Sequence, residues 1–189
     1  MNQRRRQQSF QNLLDIKQIC KEADIFFWIQ NGLLLGLYRS GDCIEGDEND
    51  VDIGIDYKDM HRFVDVLPKF QELGFRTRVT KTPYKDVVTI ALKINATKVH
   101  VHVNCKNEDM DITYQPMNKK GGVFVFTPEI YHMGFSEIEW QGERFNCPKN
   151  IEYYLVERYG IDWKIPFLKS DGWGMYDNKA NNPCYQDKL

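Results

Sequence analysis

Residues 8–24, QSFQNLLDIKQICKEAD, place Phe10, Leu13, Leu14, Ile16, Ile19 and Cys20 near helical spacing, which predicts an amphipathic helix. IFFWIQN (25–31) predicts a buried strand ending at Asn31-Gly32, and LLLGLYR (33–39) a short helix reached through Gly32. A Gly-containing turn then leads to GDENDVDIGID (46–56), where Asp50 and Asp52 interleave with Val51, Ile53 and Ile55. On a strand the side-chain period is two, so the aliphatic residues enter a core while both carboxylates share the opposite face. YKDMHRFVDVLPKFQELG (57–74) predicts a helix stopped by Gly74, with Pro68 at a break or first turn. FRTRVTKT, DVVTIALKI and KVHVHVNC predict successive strands; GGVFVFTPEIY and FSEIEWQGERFNCP predict further short strands and turns. NIEYYLVERYG predicts a last helix, capped by Asn150 and stopped by Gly160. Residues 169–189, rich in Asp, Asn, Lys and Gly, predict an irregular tail. With no repeat and no interdomain linker, the pattern is that of one domain over 1–189, of α/β (α+β) class, with its chemistry gathered at one sheet end.

Composition narrows the function classes. A chain of 189 residues, 42% hydrophobic and 13% aromatic, can build a sizeable core. The net charge of −2 provides no global basic field, so nucleic acid is not an expected partner. The basic start MNQRRRQQ is followed by an amphipathic, charged segment rather than an apolar signal core, and no run is long enough to span a bilayer. Five scattered cysteines form no CxxC and no zinc-type spacing with histidine. Free thiols in a reducing cytoplasm are the expectation, a lumenal domain without its anchor being the alternative.

The acidic strand is the first sign of chemistry. Two carboxylates a few ångströms apart repel one another unless a cation lies between them. A DxD pair alone is a weak signal. It sharpens because NGLLLGLYRSG lies one loop upstream, and a small-residue turn at a helix start lets a phosphate approach backbone N–H groups.

WIQNGLLLGLYRSGDCIEGDENDVDIGID resembles the signature of the LicD/fukutin phosphotransferase family, a Gly turn, an LLG-YR segment and a DxDIG strand in that order. The likeness resumes in PEIYHMGFSEIEWQGERFNCPKNIEYYLVERYGIDWKIP and covers roughly residues 24–167, with fukutin as the nearer relative. The resemblance implies a nucleotidyltransferase-like mixed β-sheet flanked by helices. It also implies transfer of a phospho-alditol or phosphocholine-type group from a CDP-activated donor to a glycan hydroxyl, assisted by Mg²⁺ or Mn²⁺. Carried over residue by residue, Asp50 and Asp52 match the metal pair. Gly32 and Gly36 match the donor-binding turn and short helix, and Arg39 matches the basic residue after the aromatic. Where the family strand carries a third acidic residue, this chain has His100, which the resemblance places as catalytic group and metal ligand. Imidazole favours ions softer than Mg²⁺, and Asp109 and Asp111, nearby in sequence, could substitute.

Blander roles stand beside these. Arg39 could cap its helix or pair with Asp42, and Tyr153, Tyr154, Tyr159 and Trp163 fit packing better than substrate contact. The aromatic tail DGWGMYDN could line a sugar site or simply dock. Two further function classes compete: nucleotidyl transfer from an NTP to a small molecule or protein, and non-catalytic nucleotide or glycan binding.

Overall fold

The computed structural model describes residues 2–82, 86–107, 112–116, 123–126 and 133–166. Helix α1 (Gln3–Glu22) leads into β1 (Phe27–Ile29), α2 (Asn31–Ser40) and β2 (Asp50–Asp56). A 3-10 turn (Tyr57–Asp59), α3 (Met60–Asp65) and α4 (Leu67–Glu72) follow, then β3 (Arg76–Lys81), β4 (Val88–Ile94) and β5 (Thr97–Asn107). The chain continues through β6 (Ile112–Pro116), β7 (Val123–Phe126), β8 (Phe135–Trp140), β9 (Glu143–Pro148) and a last helix, α5 (Ile151–Tyr159).

The central sheet has the order β1-β2-β5-β4-β3, with β6 pairing to the far end of β5 and β7 to β6. Among the described residues only β2 and β5 run parallel; β1 with β2, β5 with β4 and β4 with β3 are antiparallel. This is the mixed sheet flanked by helices that the α/β reading expects. Strands β8 and β9 form a separate hairpin beside β1, where the Asn146 amide donates to the Phe27 carbonyl over 3.0 Å.

Strands β2 and β5 divide their faces as their alternation predicts. Val51, Ile53, Ile55, Val99, Val101 and Val103 are all buried, and Thr97, in phase with the valines, accepts from Asn12 of α1. Helix α1 therefore covers the aliphatic face, with Leu13 and Ile16 fully buried. Burying each such side chain contributes about 1.5–3 kcal/mol. A one-residue slip of β2 would expose three of them and drive Asp50 and Asp52 into the core, so the register is firmly set. The opposite face keeps the polar residues.

Helix α1 begins at Gln3, so the basic start is its first turn, where the Asn2 side chain accepts from the Arg5 N–H. The segment 57–74 is three short helical pieces, because Pro68 sits in the first turn of α4 and Val66 ends α3. Asn95 and Ala96, with φ of 49° and 65°, make the two-residue turn that joins β4 to β5. Asn150 accepts from the Tyr153 N–H and Gly160 ends α5, both as predicted. Cys20, Cys43, Cys105 and Cys147 are buried, and burial pushes the Cys20 thiol up to about 12. Cys184, Asp109, Asp111 and the 169–189 tail lie outside the described residues. Among the described residues no helix is long and apolar enough to cross a membrane.

Candidate active site

Asp50 and Asp52 leave β2 on the face turned away from α1, and His100 and His102 leave β5 on that same face. Asp52 lies opposite His100 in the backbone register, yet the side chains meet one pleat further along. His102 Nε2 is 2.8 Å from Asp52 Oδ1, and His100 Nε2 is 3.3 Å from Asp50 Oδ1. The two pairs differ in setting. The His102 side chain is 12% exposed and that of His100 40%. Burial pushes the Asp52 carboxyl up, but the His102 hydrogen bond and the charges of His102, His100 and Arg158 prevail and hold it below the ordinary range. Burial pushes His100 below its ordinary value, with the Asp52 charge opposing the shift.

The entry to α2 forms the second wall. Gln30 donates its N–H to the Asp52 carbonyl, tying the helix start to β2. Asn31 adopts φ of 50°, a left-handed conformation that asparagine tolerates better than most residues. Its carboxamide Oδ1 accepts from the Tyr154 hydroxyl at 2.8 Å and the Arg158 Nε at 3.1 Å, both from α5. The same hydroxyl accepts from the Asn31 N–H at 3.1 Å, and Asn31 Nδ2 lies 3.3 Å from His102 Nε2. Asn31 thus joins α5 to the imidazole that holds Asp52.

Three glycines let backbones close around this wall. At Gly54 a Cβ would lie 2.4 Å from the Trp28 indole and 2.5 Å from Gln30 Oε1, so only glycine admits the Trp28–Gln30 pair above β2. At Gly36 a Cβ would meet the backbone of the 42–44 loop, at 2.6 Å from the Asp42 carbonyl oxygen. Gly36 therefore packs a helix on a loop, a role that by itself requires glycine there. Gly32 is different: its N–H donates to Asp52 Oδ2 over 3.3 Å, and a Cβ would find Asp47 Oδ2 at 3.5 Å and Asp52 Oδ2 at 3.6 Å. Two carboxylate oxygens flank the space that the missing side chain leaves.

Cations stand around the carboxylates. Arg158 and Arg39 both act on the buried Tyr159 hydroxyl, which burial raises well above its ordinary value with Asp52 and Asp47 reinforcing the shift. Arg39 Nη1 donates to the Trp163 carbonyl at 3.3 Å, and its Nε is buried without a hydrogen-bond partner. Pairing of Arg39 with Asp42 is not found: Asp42 is held by Arg6 Nε at 2.7 Å, the Cys43 N–H and the Trp140 indole N–H. Among the described residues no three His, Cys, Asp or Glu side chains enclose a cation by themselves.

Asp50, Asp52, His100 and Gly32 come together on this face as the sequence suggested, with Arg39 at its margin and Gly36 one helical turn away. Asn31, Asp47, His102, Tyr154 and Arg158 join them without having been singled out as site residues. Tyr154 is fully buried, and it serves both the core and the polar chain. Tyr154 and Arg158 stand four residues apart on one helix face, the only signal that could have marked them as partners of one group.

The fold is shared with the crystal structure of ANT(2")-Ia in complex with adenylyl-2"-tobramycin, at a TM-score of 0.52 and 10% sequence identity, over 90% of this chain and 87% of that one. In sequence, the chain is 35% identical over 170 residues to the uncharacterized protein RP689 of Rickettsia prowazekii (strain Madrid E), across 85% of this chain and 61% of the relative. It is 36% identical over 72 residues to the uncharacterized protein RT0683 of Rickettsia typhi (strain ATCC VR-144 / Wilmington), across 38% of this chain and 23% of the relative. The matched region thus spans less than two thirds of either relative's length. The family model for the LicD/FKTN/FKRP nucleotidyltransferase domain matches residues 24–150, the stretch that carries the Gly32 turn, the Asp50/Asp52 strand and the histidines of β5, and the chain belongs to this family.

Proposed function

We propose that the chain is a metal-dependent phosphotransferase that moves a phospho-alditol or phosphocholine-type group from a CDP-activated donor to a glycan hydroxyl. The observation that carries this is the meeting of the Asp50/Asp52 strand with the start of α2 at Gly32 in a LicD-family chain. Asp50 and Asp52 would hold Mg²⁺ or Mn²⁺, whose charge offsets that of the donor diphosphate. Gly32 leaves room for the phosphate beside the helix start. Arg39 and Arg158 supply positive charge around the same space, and charge-assisted contacts to phosphate are the strong ones. His102 fixes the orientation of Asp52 through the 2.8 Å contact. His100 is partly exposed beside Asp50, and burial disfavours its charged form, so it would take the proton of the attacking hydroxyl.

Nucleotidyl transfer from an NTP is the second reading. It draws on the solved neighbour, whose complex holds adenylyl-2"-tobramycin, a nucleotidylated small molecule. Thermal shift with CDP-ribitol, CDP-choline and the four NTPs, each with Mn²⁺, separates the two. Stabilisation by a CDP-linked donor alone supports the phosphotransferase, and stabilisation by NTPs alone replaces it. Binding indifferent to metal points instead to a non-catalytic nucleotide or glycan binder.

A further inference from the structure

We infer that the open face of β3, β4 and β5 binds an anionic glycan, whose negative charges meet Lys98, Lys93, Arg76 and Arg78 while its accepting hydroxyl lies at the Asp50/His100 end. The inference rests on the proposed transfer to a glycan hydroxyl and adds the charge of the acceptor.

The register sets these cations beside the acidic pair. Asp50 lies opposite Lys98, Lys98 opposite Lys93 and Lys93 opposite Arg76, one row across four strands. The next row on the same face runs through Asp52, His100, Ala91 and Arg78. Strands stand about 4.8 Å apart, so the row of cations begins one strand from Asp50 and ends about 14 Å from it. Helices cover the other face. Ile90 and Leu92, in phase with the valines of β5, are buried there, and Gln71 of α4 donates to the Thr77 hydroxyl.

The charge is arranged as if for an absent partner. All four cations are exposed, and among the described residues none of them makes an ion pair. Arg76, Lys93 and Lys98 oppose one another directly on antiparallel strands, and like charges so placed cost stability. Charge on the edge strand β3 guards it against pairing with other chains, but Lys98 sits two strands inward, where that role asks nothing of it. Lys98 also lies near enough to the site for its charge to join burial and His102 in pushing His100 below its ordinary value, against Asp52.

An anion laid over the row relieves the repulsion, and complementary charge then sets the register of the bound chain. The donor diphosphate is placed at Gly32 with Arg39 and Arg158, which leaves the cations of β3 to β5 for the acceptor. A lipid surface would also meet exposed cations, but it would not account for a row that starts at Asp50.

The test is binding of fluorescein-labelled dextran sulfate, with neutral dextran of equal length as control, in EDTA at low ionic strength. Wild type should bind only the sulfated chain, and more weakly as salt is added. An exposed charge pair contributes up to about fivefold in affinity, so Lys93→Glu/Arg78→Glu should bind about tenfold more weakly or worse. Arg4→Glu/Arg5→Glu makes the same change of net charge on α1, across the sheet, and should stay within about twofold of wild type. Lys93→Glu alone should raise Tm by about 1–4 °C, because it turns two like-charge contacts into opposite ones. Equal weakening by the two double variants would reduce the effect to net charge and overturn the inference. If the double reversal does not fold, unchanged affinity in Lys93→Gln/Arg78→Gln overturns it instead. Phosphatidylglycerol vesicles that bind through these residues while dextran sulfate does not would overturn it in favour of a membrane. Titration calorimetry of CDP with Mn²⁺ separates this surface from the donor site. Lys93→Glu/Arg78→Glu should keep wild-type CDP affinity, and losing it would assign these cations to the donor. Wild type that binds dextran sulfate here but no CDP would sink the phosphotransferase reading and leave the anionic-glycan surface standing.

Discussion

Gly32 and Gly36 lie one turn apart in α2, and alanine should act in opposite directions at the two positions. Helix propensity alone predicts a gain of about 1 kcal/mol for alanine at either site. At Gly36 the new Cβ would sit 2.6 Å from the Asp42 carbonyl oxygen, 2.8 Å from the Ile44 nitrogen and 3.1 Å from the Cys43 carbonyl carbon. All three atoms are backbone, so no side chain can swing aside, and α2 and the loop must part. Overpacking of this kind costs about 3 kcal/mol at the upper end of its usual range. After the propensity gain, Gly36→Ala should be destabilising by about 2 kcal/mol, or roughly 4–8 °C in Tm for a chain of this size. At Gly32 the nearest atoms stand at ordinary contact distance, so Gly32→Ala should fold with stability unchanged or up by as much as about 1 kcal/mol. Its methyl would nonetheless occupy the space left for the donor phosphate, so Mn²⁺ and CDP binding should be lost in a fully folded protein. Urea unfolding in EDTA measures the stabilities, and titration calorimetry the binding. A Gly36→Ala midpoint above wild type would refute the packing argument, and a Gly32→Ala protein that binds Mn²⁺ and CDP normally would refute the place given to the phosphate.

Asp50→Asn and Asp52→Asn should each abolish turnover in a protein that still folds, with Asp52→Asn the less stable of the two by about 1–3 kcal/mol because it weakens the charge-assisted bond to His102; turnover retained by either would remove the acidic pair from the chemistry. Tyr154→Phe should cost about 1–3 kcal/mol, because it strips the Asn31 N–H and Oδ1 of a buried partner, and an unchanged midpoint would show that water replaces the hydroxyl. Asp42→Asn tests pH dependence: burial raises the Asp42 carboxyl, but the Arg6 hydrogen bond, the Cys43 N–H and the Trp140 indole outweigh it and lower its folded pKa. Its stabilisation, about 2 kcal/mol for a charge-assisted bond, is therefore complete above the unfolded value near pH ~3.9 and fades as pH falls through the folded one. The gap between wild type and Asp42→Asn should close on acidification, and a gap that widens would reverse the assignment. The Mn²⁺/Mg²⁺ rate ratio should fall in His100→Asp, because imidazole suits Mn²⁺ better than Mg²⁺, and a ratio unmoved would remove that strand position from the metal.

The fold was legible wherever side-chain period and chain punctuation agreed. Interleaved Val51, Ile53 and Ile55 defined both faces of β2, and the KVHVHVNC alternation did the same for β5. Asn150 and Gly160 bounded α5 because capping is a local interaction. The site was legible by face but not by partner. Alternation places His100 and His102 beside the acidic pair, but it does not say which imidazole meets which aspartate. That depends on how the side chains lean across a parallel pair. The bond from Arg158 to Asn31 spans 127 residues and leaves no periodic trace, and Tyr154 reads as an ordinary core aromatic until its hydroxyl finds Asn31.

These contacts also explain how a LicD-family chain can carry imidazoles on β5. Carboxylates held close together repel unless something compensates them. Here His102 binds one oxygen of Asp52, and that bond, with the charges of His102, His100 and Arg158, outweighs burial and holds the Asp52 carboxyl below its ordinary range. Both oxygens of this carboxylate are engaged: Oδ1 meets His102, and Oδ2 accepts from the Gly32 N–H. Replacing His102 by alanine should therefore loosen Asp52 without removing any atom proposed to touch metal. KM for donor and metal affinity should suffer together, and Asn at 102 should restore part of both by donating to the same oxygen. A His102→Ala protein with wild-type metal affinity would mean that Asp52 is positioned by the strand alone.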